Sequence, residues 1–303
     1  MVTFISFIVL LGILIFAHEL GHFLAARAGG VGVLKFSLGF GPKIFGKKIG
    51  ETEYVLSWIP LGGFVKLLGE SGAEELPAED EKRSFYKQPR WKRMLIVLAG
   101  PVFNFLLAVF IFFLVYMHGL PNLLPVIGEL SPDSAAASSG ILKDDAILSI
   151  NDREITFWDE IKPVILKAGG ADLTIRIRRG GEEKIFAVKP KLTKTKNIFG
   201  EEESTYLIGI SPAGKTVIEK KNPTAAMASA VEKTWEISKL TVISVVKMLE
   251  GVLSPRTLGG PIFIAQVAGN QVREGIIPFV LFMAILSINL GVINLFPIPV
   301  LDG

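Results

Sequence analysis

The sequence predicts a membrane α-helical core with a β-rich segment and a separate α+β domain threaded between its spans. Two observations carry this. The 303 residues are 50% hydrophobic with a mean hydropathy of +0.48, and the apolar residues gather into three long runs instead of spreading over one core. Between the runs lie stretches of alternating polar and apolar residues and glycine-marked turns, the pattern of strands.

The first run covers residues 1–26, the second 94–118 and the third 276–303. Crossing a bilayer takes about 20 residues at ~1.5 Å each. The first run follows Met1 directly, as a signal peptide would, but it lacks a basic start and an Ala-x-Ala close. It continues into His18-Glu-Leu-Gly-His22 and reads as a retained span. Lys87, Arg90, Lys92 and Arg93 precede the second run and no Lys or Arg precedes the first. That bias puts residues 27–93 in the cytoplasm and the N-terminus outside.

Within 27–93, Gly32 to Phe64 reads as short strands and tight turns, and Glu70 to Arg83 as an exposed loop. Residues 119–212 read as one small domain on the outer side. Leu173–Arg179 and Lys184–Lys189 alternate as strands around a Gly180-Gly181 turn, and Ser131–Gly140 suits a short helix. Residues 213–275 read as an amphipathic, interfacial helical linker. Its helix starts at Pro223 behind an Asn222 cap, with lysines and glutamates recurring along it.

Cysteine is absent and the net charge is only +3. Disulfides are therefore excluded, and a nucleic-acid partner is not expected. Any metal site must use His, Asp or Glu. His18-Glu19-x-x-His22 supplies two imidazoles one turn apart on one helix face, so both can reach one ion. Glu19 is placed beside them to take a proton from an activated water. Such polar groups inside an apolar helix are costly without a partner, and a zinc ion supplies one. The remaining histidine of the three, His118, ends the second run and reads as an interfacial residue. Asp302 is one candidate for a third ligand, the competing reading being a loop aspartate past a helix end. Pro297 and Pro299 break the helix before it, which membranes tolerate only where backbone is buried or lines a cavity.

These residues, with Gly39-Phe-Gly-Pro42, Pro60-Leu-Gly-Gly-Phe-Val65, Gly100-Pro-Val-Phe-Asn104, Leu258-Gly-Gly-Pro261 and Asn289 through Gly303, resemble the bacterial site-2 proteases of the RseP-like group. The resemblance implies an intramembrane zinc endopeptidase of the inner membrane, with Zn2+ held by His18, His22 and Asp302 and Glu19 as general base and acid. It implies substrate handling by Asn289, Asn294, Pro297 and Pro299, with Asn104 near the active centre as an oxyanion or substrate donor. The Gly-rich region becomes a membrane-associated β-hairpin, whose edge at Gly62, Gly63 and Phe64 pairs with an unwound substrate. The substrate implied is a single-span membrane protein, anti-sigma-factor-like or a signal-peptide remnant, whose cleavage releases a cytoplasmic signalling factor.

Ser131 to Asn151 resembles a bacterial permuted PDZ domain, with Lys143-Asp144 where Pro-Gly is usual. That implies one extracytoplasmic PDZ-like domain, as a peptide site or a size filter. The family pattern also implies a fourth span beyond Gly303. A non-catalytic membrane PDZ sensor or scaffold would explain the anchors and the outer domain but not the buried His-Glu-x-x-His. A metal-ion transporter would have no need of Glu19.

Overall fold

The computed structural model describes residues 1–71, 76–197, 199–254 and 259–296. They form two compact units, one from Met1–Met117 with the chain from Asn222 onward, the other His118–Lys221.

The first unit begins with helix α1 (Val2–Ala28). The chain then forms a single hairpin of strands β1 (Val33–Ile49) and β2 (Thr52–Leu67), turning at Gly50-Glu51. The sequence suggested several short strands. The structure has two long ones, because repeated register shifts absorb the glycines as irregularities within one antiparallel ladder. The base of the hairpin packs on α1: Phe36 meets Phe23 edge-on at 5.5 Å between ring centroids, and Tyr54 lies 5.9 Å from Phe23. A one-turn helix α2 (Ala78–Glu81) leads to α3 (Arg90–His118), which starts inside the basic cluster, before Met94.

The second unit opens with β3 (Leu120–Leu123), β4 (Ile127–Leu130) and the short helix α4 (Ala135–Ser138), capped by the Ser134 hydroxyl. Strands β5 (Ala146–Ile150) and β6 (Arg153–Glu154) follow, then helix α5 (Ile161–Ala168), β7 (Leu173–Arg179) and β8 (Glu182–Val188). The main sheet runs β6-β5-β7-β8. Its inward residues Ile147, Ile150, Leu173, Ile175 and Ile177 form the core with Ile161 and Ile165 of α5. Strands β9 (Lys191–Lys196), β10 (Glu202–Leu207), β11 (Ile210–Pro212) and β12 (Thr216–Glu219) complete it. The unit extends to Lys221, past the boundary at 212 expected from sequence, because β12 pairs with β3 and closes the domain on its own first strand.

The chain then re-enters the first unit as three helices. Helix α6 (Pro223–Leu249) has the Asn222 side chain accepting the Ala225 amide at 2.9 Å. Helices α7 (Pro261–Glu274) and α8 (Ile276–Leu295) are separated by Gly275. The single linker expected over 213–275 is thus a strand, α6 and α7. Helix α7 lies against α1 so closely that a Cβ on Gly269 would stand 2.6 Å from Thr3 Oγ1.

Among the described residues three helices are long and apolar enough to cross a membrane: α1, α3 and α8, with window hydropathies of 2.2, 2.6 and 2.5. Phe4, Phe110 and Leu106 are mostly exposed on them, which suits lipid contact rather than water.

Candidate active site

The site forms where α1, α3 and α8 cross, and small residues allow the crossing. A Cβ on Gly21 would drive into the Ala99 backbone, so only glycine lets α1 and α3 approach this closely. On α3, Gly100 faces the imidazoles: a Cβ there would collide with His22 and stand 2.8 Å from His18 Cε1. On α8, Ser287 and Gly291 face α3, with the Ser287 hydroxyl donating to the Asn104 carbonyl at 2.8 Å. A Cβ on Gly291 would lie 3.2 Å from the Pro101 carbonyl oxygen. The Ser287-x-x-x-Gly291 spacing is a small-residue signal that the sequence carries.

The histidines are held from α3. His22 Nδ1 lies 2.8 Å from the Ile96 carbonyl oxygen, so it donates there and its Nε2 is left as an acceptor. His18, 5% exposed, has its Nδ1 2.9 Å from the Asn104 amide nitrogen. The two Nε2 atoms converge to 3.2 Å. Asn294, near the end of α8, brings its amide nitrogen to 3.3 Å from His18 Nε2. Glu19 is half-buried on the adjacent side of α1, toward the hairpin. Gly63 of β2 touches it: a Cβ at Gly63 would stand 3.0 Å from Glu19 Cγ and 2.9 Å from Ile15 Cγ2.

The donor set fits zinc. Two Zn–N bonds of about 2.0–2.1 Å at a tetrahedral angle separate their nitrogens by about 3.3–3.4 Å, close to the 3.2 Å between the Nε2 atoms. Among the described residues no third His, Asp or Glu joins them in a metal-sized cluster. Asp302, like Pro297 and Pro299, lies outside the described residues.

His18, Glu19, His22, Asn104, Asn294 and Gly63 therefore come together. Gly62 lines an apolar cleft of about 540 Å³ beside Ile15, Leu286, Asn289 and Leu290. Two of the expected substrate residues also have partners within the protein. Phe64 stacks on Phe40, with ring centroids 6.3 Å apart and planes 7° from parallel. The Asn289 Oδ1 accepts from the Thr241 hydroxyl of α6 at 2.8 Å, a bond that joins two helices. Sequence reasoning missed Ile96, whose role is played by a backbone carbonyl and so has no side-chain signature.

Residues 6–303 match the description of peptidase family M50. The chain belongs to peptidase family M50. It is 36% identical over its whole length to a Campylobacter jejuni protein provisionally named a zinc metalloprotease, covering 81% of that protein. It is 35% identical to one of the same provisional name from Rhizobium meliloti, over 99% of this chain and 84% of the relative. It is 31% identical to the regulator of sigma-E protease RseP of Salmonella typhimurium, over 98% of this chain and 88% of RseP.

Proposed function

We propose that this M50 peptidase is an intramembrane zinc endopeptidase of the site-2 type, with His18, His22 and Asp302 holding the zinc and Glu19 moving the protons. The observation that carries the reading is the pair of Nε2 atoms facing each other at 3.2 Å inside a membrane-length helix. The names of the relatives, zinc metalloproteases and RseP, support it.

Bound zinc supplies Lewis acidity, polarising the scissile carbonyl and making water a nucleophile near neutral pH. The chain's own residues do the rest. Glu19 accepts a proton from the attacking water and returns it to the leaving amine as the C–N bond breaks. The Asn294 amide, beside His18 Nε2, is placed to donate to the carbonyl oxygen as charge develops there. A transmembrane helix hides its carbonyls in i to i−4 bonds, so the substrate must unwind before hydrolysis. Among the described residues β2 pairs with β1 alone, so its outer edge at Gly62-Gly63 offers replacement backbone bonds, and the absence of a side chain at Gly63 lets the strand lie against Glu19.

The substrate is a single-span membrane protein, of the anti-sigma-factor or signal-peptide-remnant kind, and its cleavage releases a cytoplasmic product. The basic cluster before α3 supports a cytoplasmic hairpin in the inner membrane, with residues 118–221 as an outer PDZ-like domain. That domain serves as a peptide site or a size filter.

The test is Glu19→Gln in detergent-purified protein against a single-span reporter. Zinc is retained and hydrolysis is lost; continued cleavage by this variant would sink the mechanism.

A further inference from the structure

Asn104 is fully buried on α3, and its Oδ1 has no hydrogen-bond partner among the described residues. Its backbone is fixed from α8 by the Ser287 hydroxyl at 2.8 Å. An oxygen in this position is costly to leave unpaired. The amide nitrogen of the same side chain lies 2.9 Å from His18 Nδ1. A neutral imidazole that accepts at Nδ1 carries its proton on Nε2. That is the atom facing His22 Nε2 at 3.2 Å, so a proton there occupies the position a metal needs. A half-turn of the amide exchanges its two ends. Oδ1 then accepts from Nδ1–H, and the Nε2 lone pair is released toward His22.

His22 already has this arrangement, with its Nδ1 on the Ile96 carbonyl at 2.8 Å. Ile96 and Asn104 stand two turns apart on α3, so one helix orients both rings. Metal-bound histidines commonly give their second N–H to a carbonyl or carboxylate, which fixes ring and tautomer.

We infer that Asn104 is a positioning residue for His18: its carbonyl oxygen accepts Nδ1–H and thereby commits Nε2 to the metal. This rests on the zinc reading above and assigns Asn104 a role other than the oxyanion or substrate donor suggested by its sequence context. It needs an acceptor at position 104, whereas an oxyanion role needs a donor.

The experiment compares wild type, Asn104→Ala and Asn104→Asp in the full chain by zinc competition with a chelator, with His22→Ala as the zinc-free control. Aspartate is acceptor-only, so Asn104→Asp keeps zinc affinity near wild type, while Asn104→Ala weakens it by about 10–100-fold. Equal affinity in wild type and Asn104→Ala overturns the inference while leaving the zinc reading intact. So does an Asn104→Asp variant that folds but falls as far as alanine. A wild type that takes up no zinc overturns the zinc reading itself, and the inference with it. Should the alanine variant not fold, 15N-histidine resonances of zinc-loaded wild type decide: a proton on His18 Nδ1 is expected, and a bare Nδ1 contradicts the role.

Discussion

Gly100→Ala tests whether α3 shapes the histidine site. The added methyl would stand 2.6 Å from His22 Cε1 and 2.8 Å from His18 Cε1. Carbon contacts settle near 3.5–4.0 Å, so the rings must retreat by about 1 Å. They cannot do so and keep their second bonds, His22 to Ile96 and His18 to Asn104. A misplacement of about 1 Å costs on the order of 10²-fold in rate. The overpacking itself costs about 1–3 kcal/mol of stability, because the clash is with side chains and not backbone. Gly21→Ala is the control, since its methyl strikes the Ala99 carbonyl and must push two helices apart. Zinc content by mass spectrometry and thermal melting in detergent read both variants. Gly100→Ala loses zinc and activity with a modest fall in Tm, whereas Gly21→Ala loses zinc with a larger fall. Full zinc occupancy and full activity in Gly100→Ala would refute the reasoning.

Further expectations concern other parts of the chain. Gly63→Val places a branched side chain against Ser37, Ile15 and Glu19; it should cut reporter cleavage at least tenfold while zinc content stays at the wild-type level. Asn289→Ala removes the bond to Thr241 and should lower stability by about 1 kcal/mol, read as a drop in Tm with zinc unchanged. Asp145 is 1% exposed and receives two 2.7 Å hydrogen bonds from Arg179. Burial raises its pKa, but the Arg179 hydrogen bonds and the Leu142 amide outweigh that and leave it below the usual carboxylate value. A lowered native pKa contributes stability above the ordinary carboxylate range and loses it as pH falls through the native value. Unfolding of the 118–221 unit should therefore become easier in acid, and Asp145→Asn should flatten that dependence and cost about 3 kcal/mol at neutral pH.

The chemistry of α1 is legible in the sequence because it is local. His18 and His22 share a face through helical periodicity alone, and the apolar run around them makes the polarity conspicuous. The strands flanking Gly180-Gly181 are legible for the same reason. What the sequence conceals is non-local. The pairing of β12 with β3 joins Glu219 to Leu120, and nothing in either short strand announces the other. Asn104 reads as polar and interior from sequence, but its partner is eighty-six positions away, at His18. Asn289 and Asn294 look alike on paper; five positions on a helix turn them to different faces, one toward α6 and one toward the histidines.

The most direct test of the central claim is zinc stoichiometry in the purified chain, wild type beside His18→Ala, His22→Ala and Asp302→Ala. The account predicts about one zinc per chain in wild type and its loss in all three variants. Wild-type occupancy in Asp302→Ala would remove that residue from the ligand set, and undiminished zinc in the two histidine variants would contradict the site altogether.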